Sequence, residues 1–219
     1  MSQPCHRGAD IPRPGKLDSS LGEFWVENPW DIIKEGFNLS CYERKRTFLN
    51  VPGKIHGRDF IDISHLTGAD NDSDGRSVVA GDLRNCGQLD LIVRQVGGGP
   101  VMIYENNFVK KHYLEVSLRG KKRTSGLSSN SLGIGSRLIA TVNGRQLVRE
   151  LYPLNSYRSQ MPTAVHFGLA DATVVDKLEI QWPSGVRQEL RNVTGDRHII
   201  VEEEGPVTEL IPGKVSLAR

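Results

Sequence analysis

A run of acidic residues has the types and spacing of a cation-binding loop. In the run DNDSDG, which begins at Asp70, carboxylates stand at alternate positions and a glycine follows. Alternating oxygen side chains can wrap around a hard cation such as calcium, and the glycine permits a sharp turn. Val78 and Gly81, however, stand where a longer calcium loop would place further ligands. Asp70, Asp72 and Asp74 are therefore candidate calcium ligands, with an acidic solvated turn as the competing interpretation.

Motifs for catalysis are missing from the sequence. It contains no H-E-x-x-H, G-x-S-x-G or phosphate-binding G-x-x-x-x-G-K pattern. His166 lies between Val165 and Phe167 in an alternating pattern, which indicates an exposed or hydrogen-bonded strand histidine rather than a catalytic base. The basic residues 121–123, with the nearby lysines at 110 and 111, are expected to be solvated loop charge, and an anionic glycan or phosphate is the alternative partner. We predict no catalytic and no cofactor-binding residues.

Composition limits the class of protein. The 219 residues are 37% hydrophobic and carry a net charge of +2, from 28 basic and 26 acidic residues. This balance is typical of a globular chain and argues against nucleic acid as a partner, which usually meets a concentrated basic face. No apolar run approaches the roughly 20 residues that span a bilayer, so no transmembrane segment is predicted. Three cysteines without C-x-x-C spacing favour neither a disulfide framework nor a zinc site.

The elements that would position any site are read most clearly in the C-terminal half. Apolar and polar residues alternate around Leu114–Leu118, Ile134–Val142, Val165–Leu169 and Leu178–Trp182, which predicts strands with one buried face. Asn143-Gly144 is a hairpin signal, because both residues tolerate positive φ. About seven strands are therefore expected over residues 112–204, as in an immunoglobulin-like β-sandwich with Trp182 in its core. Residues 205–219 are expected to form a loose tail.

The N-terminal half predicts a different organisation. Residues 1–22 are rich in Pro, Gly and Ser, which indicates a disordered arm, and residues 29–36 read as a short helix. Over residues 23–111, short strand candidates alternate closely with turn residues, which is typical of a partial β-propeller-like unit or a small meander. The predicted fold class is all-β, with this unit followed by the sandwich.

Several of these segments resemble a known family. Residues 81–93 (GDLRNCGQLDLIV) resemble an FG-GAP or VCBS repeat, and segments further on resemble the ASPIC/UnbV domain of proteins related to cartilage acidic protein. The segments that carry the second resemblance are NSLGIGSRL at 130–138, NSYRSQ at 155–160, HFGL at 166–169 and VDKLEIQWPSG at 175–185. The lead-in YERKRTFLN at 42–50 and FIDIS at 60–64 also resemble bacterial relatives. The resemblance implies extracellular or envelope proteins that act in adhesion or binding, without a general catalytic activity.

The repeat-like loop adds two candidate calcium ligands. The carboxylates that match the family pattern are Asp82 and Asp90. Arg84 and Cys86 stand where the repeat normally carries oxygen ligands, and neither a cation nor a soft sulfur atom suits calcium. A turn kept by Asp and Gly for backbone reasons is the competing interpretation.

These observations together predict a non-catalytic binding or assembly protein, adhesion-like, with a weak or lost calcium site and a protein or glycan partner. A carbohydrate-active enzyme or other hydrolase is the alternative from another class, and a degenerate remnant without a ligand is a third. The start of the chain lacks the apolar core of a signal peptide, which indicates the cytoplasm, whereas the resemblance implies an extracellular or envelope location.

Overall fold

A computed structural model describes residues 44–54, 57–71, 75–95, 100–157 and 159–210 of the chain. Within these ranges the protein is all-β, as predicted, with one short helix. In the described part of the chain, no helix combines the length and apolarity needed to cross a bilayer. Contacts divide the described residues into two units, those within 44–78 and 92–104 and those within 79–91 and 105–210. The disordered arm and helix predicted before residue 44 lie outside the described residues.

The N-terminal part contains short strands and the helix. Its elements are β1 (Phe48–Val51), β2 (Asp59–Asp62), α1 (Ser64–Thr67), β3 (Gly75–Gly81), β4 (Asp90–Gln95) and β5 (Met102–Tyr104). β1 and β2 form an antiparallel hairpin, and the hydroxyl of Ser64 at the start of α1 accepts a hydrogen bond from the Thr47 amide at 2.9 Å. β3, β4 and β5 form a three-stranded sheet in chain order, as expected of a small meander.

The C-terminal part forms two four-stranded sheets. Its strands are β6 (His112–Arg119), β7 (Arg137–Val142), β8 (Arg145–Glu150), β9 (Leu154–Asn155), β10 (Ser159–Gln160), β11 (Ala164–Ala170), β12 (Val174–Gln181), β13 (Arg187–Thr194), β14 (Arg197–Glu202) and β15 (Val207–Leu210). One sheet has the order β11-β6-β14-β15 and the other β13-β12-β7-β8, while β9 and β10 pair separately. The β6–β14 pair is parallel, and the other strand pairs in these two sheets are antiparallel.

Both sheets contribute to one hydrophobic core. Alternate residues of β6, β11 and β14 face alternate residues of β7 and β12, and Phe167 and Leu178 are completely buried. Trp182 is 3% exposed and its indole N–H donates to Gln188 Oε1 at 3.1 Å, so the prediction of a core tryptophan is confirmed. Asn143 and Gly144 both have positive φ, 48° and 76°, at the predicted β7–β8 hairpin.

One segment differs from the sequence-based expectation. Val207–Leu210, placed in the loose tail, forms β15 and pairs with β14 from Val201 to His198. The four residues of β15 are all exposed, so burial leaves little trace in their sequence. Their order comes from backbone pairing with β14, which does not require an apolar pattern.

Candidate functional site

An open cleft of about 440 Å³ lies against the outward face of β6 in the second unit. We call it the Ser117 cleft. Its lining residues are Ser117, Leu118, Arg119, Gly120, Ser131, Leu132, Thr163 and Ile200. Three hydroxyl groups and one guanidinium line it beside apolar side chains, and none of its described lining residues is Asp or Glu. A cleft of this composition suits a small polar ligand.

One wall of the cleft belongs to the loop between β6 and β7. The loop closes at its base, where the Gly120 amide donates to the Ser131 carbonyl at 3.3 Å. Next to this point, the Asn130 side chain accepts hydrogen bonds from the amides of Leu132 (3.2 Å) and Ile134 (2.9 Å). A short amide side chain that satisfies nearby backbone groups fixes a turn without regular structure. The loop between β6 and β7 therefore has a defined base beside the cleft.

The buried carboxylate of Glu203, which the sequence did not indicate as a candidate, binds the same loop. The Glu203 side chain is fully buried; it accepts hydrogen bonds from the Lys121 amide at 2.8 Å and from the Ser184 hydroxyl. Arg123 Nη2 lies 3.5 Å from Glu203 Oε1 and 2.7 Å from Glu204 Oε2. Burial acts to raise the pKa of Glu203, but these hydrogen bonds outweigh it and hold the pKa below its usual value.

This network also includes basic residues of the loop between β6 and β7. Arg123 is paired with Glu203 and Glu204, and Lys121 Nζ lies 3.8 Å from Glu204 Oε2. Further along the surface, Lys111 Nζ lies 2.6 Å from Asp171 Oδ1. Arg123, Lys121 and Lys111 are therefore each beside a carboxylate.

Ser117, which lines the cleft, also contacts a row of polar side chains on the outward face of the sheet. Ser117 Oγ lies 2.8 Å from Nε2 of His198, and Nδ1 of the same ring lies 3.5 Å from Glu115 Oε2. Glu115 and His198 are directly opposite each other in the parallel β6–β14 pair. Burial raises the pKa of Glu115, and burial also lowers the pKa of His198. Both shifts disfavour charge on this partly buried row.

His166 lies on the other side of Glu115 and has a structural partner. It is opposite Glu115 in the β6–β11 pair, its Nε2 lies 3.0 Å from the Gly87 carbonyl, and its ring stacks on Tyr113 with centroids 5.7 Å apart. Since a carbonyl only accepts, His166 donates from Nε2. These contacts are those of the hydrogen-bonded strand histidine that the sequence predicted.

In the repeat-like loop, the Asp82 carboxylate accepts hydrogen bonds from backbone amides of the loop, and the Asp90 carboxylate lies beside the Arg84 guanidinium. Asp82 accepts hydrogen bonds from the amides of Cys86 (2.9 Å) and Gly87 (2.5 Å). Asp90 is buried; its Oδ1 accepts from the Asn106 amide at 2.8 Å and lies 3.2 Å from Arg84 Nη2. Arg84 thus places a positive charge beside Asp90 where a calcium ion would lie, and calcium binding by Asp82 and Asp90 stays a prediction.

In the other candidate calcium loop, Asp70 is the one candidate ligand among the described residues. Asp70 Oδ2 lies 2.9 Å from Arg44 Nη2 and 3.2 Å from His65 Nδ1, both within the first unit. Asp72 and Asp74 lie outside the described residues. No group of three or more His, Cys, Asp or Glu side chains among the described residues is arranged to hold a metal ion. Calcium at residues 70–75 stays a prediction.

Three of the residues around the cleft had been missed, each for a reason. Glu203 stands in the run Glu202-Glu203-Glu204, which reads as an acidic strand end. Ser117 and His198 are polar positions of alternating strands, and such positions normally face water. Only the parallel pairing of β6 with β14 places them in contact, across 81 residues of sequence.

The comparison with known families now adds to this geometry. Residues 126–207 match the family described as ASPIC and UnbV. This match agrees with the resemblance seen in the sequence and leaves residues 1–125 outside it. No curated protein matches the chain. The ASPIC/UnbV segment includes β7 to β14 with Ser131, Thr163, Ser184, His198 and Glu203, whereas β6 precedes it. The FG-GAP or VCBS resemblance of residues 81–93 stays a prediction.

Proposed function

We propose that this chain is a non-catalytic binding protein and that its ligand, a glycan, occupies the Ser117 cleft. The observation that carries the proposal is the open cleft of about 440 Å³ lined by three hydroxyls, Arg119 and the apolar Leu132 and Ile200. Hydroxyl and guanidinium groups hydrogen-bond sugar hydroxyls, while the apolar side chains can meet the C–H faces of a sugar ring.

The position of the cleft supports this function. Its wall is held by the Glu203 network, and two members of that network, Ser184 and Glu203, belong to the ASPIC/UnbV domain. A wall fixed before the ligand arrives lowers the ordering cost of binding. The WPSG segment that contains Ser184 therefore acts, in this proposal, as support for a binding loop.

A glycan array followed by titration in solution tests the proposal. Isotope-labelled protein titrated with the array hits should show NMR shift changes at the cleft residues. Thr163→Trp fills the cleft and should abolish these changes, whereas Gln146→Trp, on the exposed strand β8 of the opposite sheet, should leave them intact. Binding that survives in Thr163→Trp, or an array without hits, contradicts the proposal.

Hydrolysis is the second candidate, and one observation favours it. Ser117, His198 and Glu115 follow the order of nucleophile, base and carboxylate in a serine hydrolase. However, β6 lies between β11 and β14, so its amides are engaged in both ladders and cannot form an oxyanion hole around Ser117. The absence of a carboxylate pair among the described lining residues also argues against glycoside hydrolysis. Labelling of Ser117 by a fluorophosphonate would favour the hydrolase.

An adhesion role with calcium is a finer part of the proposal and depends on Asp70, Asp72 and Asp74. A ligand that binds only the folded state raises its melting temperature. Thermal melting with millimolar calcium, compared with magnesium and with Asp72→Asn, tests it. Equal melting curves with and without calcium would remove calcium from the proposal.

A further inference from the structure

The hydrogen-bonding character of the Ser117 cleft depends on a neighbouring ring. Ser117 lines the cleft, and its hydroxyl lies 2.8 Å from His198 Nε2. The other ring nitrogen of His198 faces the Glu115 carboxylate at 3.5 Å. An ionised carboxylate only accepts, so it favours the tautomer with the proton on Nδ1. In this tautomer Nε2 accepts the Ser117 proton, and the lone pairs of Ser117 Oγ are left for the cleft.

Protonation of His198 reverses this arrangement. With both ring nitrogens protonated, Nε2 donates to Ser117 Oγ, and the Ser117 hydroxyl proton is free to turn into the cleft. Ser117 then becomes a donor beside Arg119, which stands two residues further along the same face of β6. A donor, a guanidinium and a nearby imidazolium all favour an anionic acceptor.

We propose that the Ser117 cleft takes a carboxylate-bearing saccharide, such as a uronate, and that protonation of His198 strengthens its binding. This inference rests on the binding function proposed above and adds the ligand class and its regulation. The carboxylate meets the Ser117 hydroxyl and the guanidinium of Arg119, whose Nη1 also lies 3.4 Å from Glu202 Oε1. The sugar ring packs on Leu132 and Ile200. Unlike a sugar hydroxyl, a carboxylate cannot exchange donor for acceptor, so it senses the state of Ser117.

Neighbouring strands also present side chains to His198 and Glu115. On β6, Glu115 is the charged group beside His198, and on β15 the residue opposite His198 is the uncharged Leu210. On β11, His166 faces Glu115 from the far side, and Asp82 in the second unit also acts on Glu115. The experiment therefore includes a His166 variant beside the His198 variant.

The experiment is an NMR titration of the full chain with galacturonate and with galactose, at about pH 7.5 and at a second pH below the midpoint of the His198 ring resonances, because burial holds the pKa of His198 below its usual value. We expect galacturonate to bind about fivefold more tightly at the lower pH, the worth of roughly one hydrogen bond, while galactose changes little. His198→Gln, which cannot be protonated, should remove the change. His166→Gln should retain it, and Ser131→Ala, which removes a cleft hydroxyl without a histidine partner, should also retain it.

A second measurement needs no variant. By linkage, a ligand that prefers protonated His198 must raise the pKa of that ring when it binds, which the NMR titration of the His198 resonances measures directly. Galacturonate affinity that is unchanged or weaker at low pH, or a rise that persists in His198→Gln, overturns the inference although the binding function stands. Failure of both sugars to perturb the cleft at either pH refutes the binding function for this ligand class.

Discussion

At the scale of single residues, Glu203 shows how one buried carboxylate organises a polar loop. Its oxygens receive the Lys121 amide and the Ser184 hydroxyl, and Arg123 lies beside them. The neighbouring Glu202 has a different environment, since its side chain is 38% exposed and pairs with Arg119 at 3.4 Å. Two adjacent residues of the same type therefore have unlike roles because only one is removed from water.

Replacement of Glu203 by Ala should lower the free energy of unfolding by about 2–4 kcal/mol, because it leaves buried donors and part of the Arg123 charge unpaired. Urea denaturation measures the loss. Glu202→Ala is the matched control, and we expect it to cost less than about 1 kcal/mol, as an exposed pair does. Equal losses in the two variants would show that the Glu203 network does not stabilise the domain.

Two features of the structure disfavour any residue larger than glycine at Gly87. Its φ is 86°, and a Cβ atom there would lie 2.1 Å from the Tyr113 ring that stacks on His166. Gly126 has a similar φ of 82°, but no atom lies within 4 Å of its Cβ position. Substitutions at the two glycines therefore distinguish the cost of positive φ, which both would have, from the cost of the contact with Tyr113, which only Gly87 would have.

We expect Gly87→Ala to be clearly more destabilising than Gly126→Ala. Both carry the cost of positive φ, about 1 kcal/mol, and only the first displaces Tyr113. Melting temperatures of the two variants test this, and the ring resonances of His166 should shift in Gly87→Ala alone. Identical melting temperatures would mean that the Tyr113 contact relaxes without cost.

At the scale of elements, β14 is central to the candidate site although it lies near the end of the described chain. It pairs with β6 on one side, where His198 meets Glu115, and with β15 on the other. Because β15 is exposed throughout, its role is to satisfy the backbone groups of β14 rather than to fill the core.

A chain that ends at Pro206 should therefore loosen β14, whereas a chain that ends at Leu210 should not. We expect the backbone amides of residues 197–202 that face β15 to exchange with deuterium at least about tenfold faster in the shorter chain. Hydrogen exchange with mass spectrometry compares the two. Unchanged protection would show that β6 alone holds β14.

At the scale of the whole molecule, the two four-stranded sheets share one hydrophobic core. Phe167 from one sheet and Leu178 and Ile180 from the other are completely buried in a single cluster. A core shared in this way makes the stability of the two sheets interdependent, since neither can keep its apolar face dry alone.

Phe167→Ala should lower the free energy of unfolding by about 3–5 kcal/mol, the cost of a large cavity in a packed core. Tyr152→Ala is the control, because this aromatic side chain belongs to a residue that is 64% exposed. Its effect should stay within about 0.5 kcal/mol. Guanidinium denaturation followed by circular dichroism measures both, and comparable effects would contradict the core assignment.

Much of the fold could be predicted from local pattern. Strand alternation identified the buried Val165, Phe167 and Leu169, and Asn143-Gly144 identified a hairpin, because side-chain period and turn conformation are properties of a few neighbouring residues. The candidate calcium ligands were also chosen from local spacing. Spacing does not reveal competing donors, and the structure places Arg84 against Asp90 and amides against Asp82.

The sequence by itself therefore determined the all-β class, the position of most strands and the core face of each one. Tertiary structure decided the rest: the parallel pairing of β6 with β14, the order of β15, the burial of Glu203 and the contact of Ser117 with His198. The physical reason is that these features depend on contacts between residues far apart in the sequence. Alternation records whether each residue faces water, but a polar residue carries no mark of its partner, and that partner is chosen by which strands lie side by side.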